Sequence, residues 1–129
     1  MAVDWPAFAD LVNSNQSFVL TSHIRPDCDA LGSELGMAGV LEALGKDVII
    51  VNGQRTPENL AFIDPTDRIK VLNEDIAIAE LSNRDVFMVL DTSAWAQLGP
   101  MGDALREFTG RKIVLDHHQN EDDLGTEFF

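Results

Sequence analysis

The chain has 129 residues, 45% of them hydrophobic, which is one domain's worth of sequence with enough apolar material for a core of its own. Its formal net charge of −13 excludes a broad basic face for holding long duplex nucleic acid, although bound divalent cations would reverse the local sign for a small anionic substrate. A single cysteine, Cys28, excludes an intrachain disulfide, and no apolar run suits a membrane span or a signal segment, so a cytoplasmic protein without membrane association is expected.

In chain order, Pro6 to Val12 carries Phe8, Leu11 and Val12 at helical spacing and predicts a short opening helix. Ser17 to Thr21 is an apolar run of strand length. Ala30 to Leu44 reads as a longer helix, with Gly45 as its C-terminal stop. Asp47 to Val51 is a second apolar strand, closed by Asn52-Gly53. A short helix is expected over Pro57 to Ile63, a strand over Arg68 to Leu72 and another helix over Ile76 to Ser82. Val86 to Leu90 is the clearest strand of all. Pro100 to Phe108 reads as a helix, Lys112 to Leu115 as a strand, and Gly125 to Phe129 as the start of one more. Continuously apolar strands alternating with helices imply an α/β fold, with a mostly parallel sheet of about five strands covered by helices on both faces.

Three of these strands run into charged or imidazole groups. The first is followed by His23, Asp27 and Asp29, the Val86–Leu90 strand by Asp91, and the Lys112–Leu115 strand by Asp116, His117 and His118. These are also the only three histidines in the chain. In open α/β sheets ligands bind beyond the carboxyl ends of the strands, at a topological switch point, so the three strand ends should converge on one edge. Asp27 and Asp29 are two residues apart, and in an extended loop they point in different directions, which suits two neighbouring cations better than one. His23 can return to the cation of Asp27, Asp91 can bridge both ions, and His117 can complete the second. Mixed carboxylate and imidazole ligands suit Mn²⁺, with Mg²⁺, Co²⁺ and Zn²⁺ also accepted.

Two such ions clamp a phosphoryl group for in-line attack, with His118 facing the substrate. The helix that follows adds an anion-friendly N-terminus through Ala30, Leu31, Gly32 and Ser33, and Arg25 is a further phosphate contact. Competing structural roles exist. Asp91-Thr92-Ser93 also reads as a helix N-cap, Cys28 as a packed, inert thiol, Arg25 as a solvated loop residue, and Trp95 as edge packing rather than a base-stacking surface. A dinucleotide-binding fold is disfavoured, because no Gly-x-Gly-x-x-Gly follows the first strand.

His-x-x-x-Asp-x-Asp at His23, Asp27 and Asp29, a lone Asp at Asp91, and Asp-His-His at Asp116 to His118 together resemble the DHH phosphoesterase superfamily. The stretches His-Ile-Arg-Pro-Asp-Cys-Asp-Ala-Leu-Gly-Ser and Asp-His-His-Gln-Asn-Glu-Asp look most like its nanoRNase and phosphoadenosine-phosphate phosphatase branch, related to RecJ-like exonucleases. The resemblance implies a Rossmann-like domain in which His23 and Asp27 hold one Mn²⁺, Asp29 and His117 hold the other, and Asp91 bridges them. It assigns His118 to the phosphate and Asp116 to orienting an imidazole. It implies hydrolysis of phosphate esters in small nucleotides or short oligonucleotides, and leaves room for a homodimer. Family relatives also include pyrophosphatases, exopolyphosphatases and cyclic-dinucleotide phosphodiesterases. Many relatives carry Gly where Cys28 stands. The family's fourth motif, a further Asp ligand, and its C-terminal substrate-binding domain would follow Phe129, so the chain reads as one incomplete domain of a longer protein. On that ground a non-catalytic metal- or nucleotide-binding module is the rival reading.

Overall fold

A computed structural model describes residues 4–116, 124 and 126–128, with no side-chain description for Phe128. Helix α1 (Trp5–Ser14) leads into strand β1 (Ser17–Thr21), helix α2 (Cys28–Ala43) and strand β2 (Asp47–Asn52). A 3₁₀ helix (Glu58–Ile63), strand β3 (Ile69–Val71) and a second 3₁₀ helix (Ile78–Leu81) follow. Strand β4 (Val86–Leu90), the single-turn helix α3 (Trp95–Leu98), helix α4 (Met101–Glu107), strand β5 (Arg111–Leu115) and the two-residue strand β6 (Glu127–Phe128) complete the order.

The six strands form one parallel sheet in the order β3-β2-β1-β4-β5-β6. Five strands stand where the apolar runs predicted them, and the sixth pairs with β5 at the expected place near residue 127. From β1 the chain winds outward through β2 and β3, then returns to the other side of β1 and winds outward again through β4, β5 and β6. The switch point of the sheet therefore lies between β1 and β4.

The strands are apolar throughout because both faces are covered. Successive side chains alternate, so Phe18, Leu20, Ile50, Val86, Met88, Leu90 and Ile113 face one way, against Phe8, Leu11 and Val12 of α1 and Leu31, Ala38 and Leu41 of α2. Val19, Val51, Phe87, Val89 and Val114 face the other way, against Leu98 of α3 and Met101, Ala104 and Leu105 of α4. Fully burying a side chain such as Phe18, Phe87 or Leu41 contributes about 1.5–3 kcal/mol, enough for these two layers to outweigh local propensity.

Register is pinned at the edge far from the strand carboxyl ends. Asp85 accepts hydrogen bonds from the backbone N–H groups of Gln16 (2.9 Å) and Ser17 (3.1 Å), while its own N–H donates to Ser17 Oγ. Those backbone donors hold the Asp85 carboxyl below its ordinary pKa. With the starts of β1 and β4 tied, Phe18 pairs with Val86 and Thr21 with Val89, so the two strands end side by side.

Several boundaries moved by a residue or two, for local reasons. The opening helix begins at Trp5 because Asp4 accepts from Ala7 N–H and caps it. Helix α2 begins at Cys28 rather than Ala30 because Asp27 is its N-cap. The segments read as helices over 57–63 and 76–82 are shorter 3₁₀ turns, and α3 has only four residues, too few to leave a periodic signal. Among the described residues, no helix is long and apolar enough to cross a membrane.

Candidate metal centre

Strands β1 and β4 deliver the candidate ligands to the switch point. His23 lies two residues past the end of β1, and Asp91 directly follows β4. Between them comes Asp27, at the head of α2. His23 Nε2 stands 3.4 Å from Asp91 Oδ2 and 4.0 Å from Asp27 Oδ1, and one ligand atom from each residue falls within 4.8 Å of the others. Ligand bonds of about 2.0–2.2 Å to a divalent cation place adjacent donor atoms roughly 3–4 Å apart. Both distances from His23 fall within that range.

Two further features suit a cation. His23 Nδ1 lies 2.8 Å from the carbonyl oxygen of Ile24. A carbonyl only accepts, so Nδ1 carries the proton and Nε2 is the ligating nitrogen, facing both carboxylates. Asp91 is buried, at 8% exposure, so bulk water contributes little around its carboxylate. It also adopts a positive φ of 64°, a conformation that Asp tolerates better than most residues. Its N–H donates to Leu115 O, tying the turn to the end of β5. The cap of the following helix α3 is Ala94, so the alternative reading of Asp91 as a helix cap is overturned.

The loop between β1 and α2 is braced from two sides. Ile24 N–H donates to Gln97 O of α3 at 2.6 Å, and Arg25 N–H donates to Gln54 Oε1 at 2.8 Å. Gly99 (φ 56°, ψ −135°) packs so closely that a Cβ added there would lie 2.6 Å from Ile24 Cγ2. Gly99→Ala is therefore expected to cost about 1–3 kcal/mol of stability through backbone strain and to weaken Mn²⁺ binding by shifting Ile24. A thermal melt and a metal titration check the two effects; unchanged values in both would refute the brace.

The other predicted site residues fare differently. Asp29 is exposed in the first turn of α2 and does not join the trio. Arg25 is exposed beside the site with φ 51°. Ser33 lies half-buried in the second turn of α2, behind the helix end. The N–H groups expected to be open to an anion are partly engaged: Ala30 N–H donates to Asp27 Oδ1 (2.9 Å) and Leu31 N–H to Asp27 O (3.0 Å). Cys28, expected to be a packed thiol, is exposed because α2 starts there and turns it outward. Trp95 packs on the α4 side of the sheet with the Arg106 guanidinium 4.0 Å from its ring centre, as edge packing predicts. Asp116 is half-buried at the end of β5. His117 and His118 lie outside the described residues.

Behind the trio is a buried polar chain that the sequence reading missed. Thr21 Oγ1 donates to Asn52 Oδ1 (3.2 Å), and Asn52 Nδ2 donates to Glu34 Oε1 (3.0 Å). Thr21, Ser22, Glu34 and Asn52 are each 2% exposed or less. Burial pushes the Glu34 carboxyl up to about 8; the bond from Asn52 and the nearby Ser22 hydroxyl pull it back in part, and the nearby Asp64 charge pushes it further up. Glu34 was detectable: it occupies an inward position of α2 among Ala30, Leu31, Ala38 and Leu41, where a charged residue is out of place.

Comparison with known proteins gives the family and a solved fold. The family described as "DHH family, N-terminal domain" matches residues 17–127. An uncharacterized protein of Methanocaldococcus jannaschii is 37% identical over 107 residues, covering 81% of this chain and 20% of that protein. The bifunctional oligoribonuclease and PAP phosphatase NrnA of Bacillus subtilis is 33% identical over 112 residues, covering 84% of this chain and 31% of that protein. The chain thus spans a third or less of the length of these curated relatives. The crystal structure of an exopolyphosphatase-related protein from Bacteroides fragilis superposes with a TM-score of 0.86 at 27% identity, over 96% of this chain and 37% of that one. With the family's pattern matched from the start of β1 into β6, and the same fold found in a solved relative, the chain belongs to the DHH family and carries its N-terminal domain.

Proposed function

We propose that this domain is the metal-binding half of a phosphoesterase that hydrolyses phosphate ester bonds in small nucleotides or very short oligonucleotides, using two divalent cations, with Mn²⁺ the best fit. The observation that carries the proposal is the meeting of His23, Asp27 and Asp91 at the switch point between β1 and β4. Relatives named as an oligoribonuclease and PAP phosphatase and as a cyclic-di-AMP phosphodiesterase, the latter from Listeria monocytogenes at 18% identity, support the substrate class.

In this reading His23 and Asp27 would hold one cation, Asp29 and His117 would hold the other, and Asp91 would serve both. The cations, when bound, supply positive charge against the phosphate and acidify water for attack. Buried Asp91 fixes where that charge sits, and the Ile24 carbonyl holds the His23 ring in its ligating tautomer. Arg25, exposed beside the loop, and His118 are assigned to the substrate phosphate, with Asp116 orienting an imidazole. A domain with net charge −13 needs such cations before an anionic nucleotide can approach this edge.

The test is a hydrolysis assay of the full-length protein with Mn²⁺, on a dinucleotide, phosphoadenosine phosphate, cyclic-di-AMP, polyphosphate and pyrophosphate. Turnover of the dinucleotide or phosphoadenosine phosphate is expected. Preference for polyphosphate would move the function toward that named in the Bacteroides structure. Tight binding of Mn²⁺ with no turnover of any substrate would favour a non-catalytic binding module instead.

A further inference from the structure

We infer that the buried chain Thr21–Asn52–Glu34 is a positioning device that fixes the distance between the two elements carrying His23 and Asp27. The inference rests on the reading of those residues as metal ligands. His23 leaves the end of β1, and Asp27 caps the start of α2. Nothing in the apolar core dictates how far apart those two ends sit to within the few tenths of an ångström that a ligand set needs. A hydrogen-bond chain does. Thr21 belongs to β1, Asn52 ends β2 and Glu34 lies on α2, so two bonds of 3.2 and 3.0 Å span strand, strand and helix behind the site.

The chemistry of the chain is otherwise hard to explain. Burying an imperfectly matched polar group is costly, and an apolar residue at position 34 would join the core face that Leu31, Ala38 and Leu41 already form. Glu34 is buried as a neutral acid, so it neither adds a charge behind the cation site nor competes with Asp27 and Asp91 as a ligand. Its Oε1 accepts from Asn52, which leaves its proton on Oε2, toward the Ser22 hydroxyl. The two oxygens do not reach full hydrogen-bond geometry, but the contact reaches the residue next to His23. Glutamine offers the same acceptor and donor in the same places. That makes Glu34→Gln the conservative replacement, and Glu34→Ala and Thr21→Val the disruptive ones.

The experiment uses the intact protein with two readouts. Side-chain ¹⁵N NMR without metal reports the His23 tautomer, and calorimetry reports Mn²⁺ affinity. Wild type and Glu34→Gln are expected to show the Nδ1–H tautomer and Mn²⁺ affinities within about twofold of each other. Glu34→Ala and Thr21→Val should mix the tautomers and weaken Mn²⁺ by roughly 10–100-fold, the usual effect of removing a partner that orients a ligand. Folded Glu34→Ala and Thr21→Val proteins with unchanged tautomer and affinity would overturn the inference, as would a Glu34→Gln protein as impaired as Glu34→Ala. If Glu34→Ala fails to fold, Thr21→Val, which removes only a hydroxyl, decides. Should wild type bind no Mn²⁺, the metal reading fails, while the tautomer comparison still decides the positioning role.

Discussion

Asp91→Asn is expected to lower Mn²⁺-dependent hydrolysis by about 10³-fold while leaving the melting temperature nearly unchanged. The size follows from the several kcal/mol that a Lewis-acid cation contributes to stabilising phosphoryl charge, at about 1.4 kcal/mol per tenfold in rate. The choice of asparagine follows from the backbone. Asp91 holds φ at 64°, and Asn accepts that conformation about as well as Asp does, so the variant removes the charge without straining the turn after β4. Asp91→Ala loses the same charge but should add a backbone penalty of about 1–2 kcal/mol. The pair of variants therefore separates ligand loss from fold loss: equal activity defects with unequal melting temperatures are expected. Initial rates with saturating Mn²⁺ and a thermal melt supply both numbers. Activity of Asp91→Asn within tenfold of wild type would remove Asp91 from the site.

How much of this was legible without coordinates differs between the sheet and the site. Strands such as Val86–Leu90 announce themselves because both faces of a parallel sheet are buried, so the run is apolar without alternation and has the length of a strand. The meeting of His23 with Asp91 was legible for a related reason: parallel strands deposit whatever follows them on one edge. Finer features depended on where the chain turns. Asp27 was read as a ligand alone, yet it also caps α2, and starting the helix at Cys28 turns that thiol into solvent and takes up N–H groups otherwise open to an anion. The left-handed backbone at Asp91 has no signature in composition, since Asp-Thr-Ser serves equally well as a cap. Glu34 was overlooked because one acidic residue hardly perturbs a helical apolar pattern, whereas in the fold it is the residue that an apolar environment penalises most. The expected roles of His117 and His118 fall on residues outside those described.

That penalty gives the second large effect, on stability. The Glu34 carboxyl titrates near 8 in the folded protein against an ordinary value of 4.5. Its folded pKa is raised, so the native state keeps a proton that the unfolded chain releases between those limits. Stability then falls as pH rises wherever the native state binds more protons than the unfolded one. The loss begins near pH 4.5 and is complete once pH has passed about 8, and over the whole interval it amounts to about 5 kcal/mol at about 1.4 kcal/mol per pH unit. Other carboxylates titrate over part of this range, so the informative quantity is the difference between wild type and Glu34→Gln. The amide keeps the bond from Asn52 but has no proton to retain, so the two proteins should converge in urea-unfolding free energy near pH 4.5. At pH 7 the glutamine variant should be more stable by about 3 kcal/mol, and the gap should widen no further above pH 8. Parallel stability curves across that range would mean that Glu34 is ionised in the folded protein, with its charge balanced by something other than Asn52 and Ser22. A wild type that gains stability over Glu34→Gln as pH rises would reverse the sign of the argument and exclude a raised native-state pKa on this carboxyl.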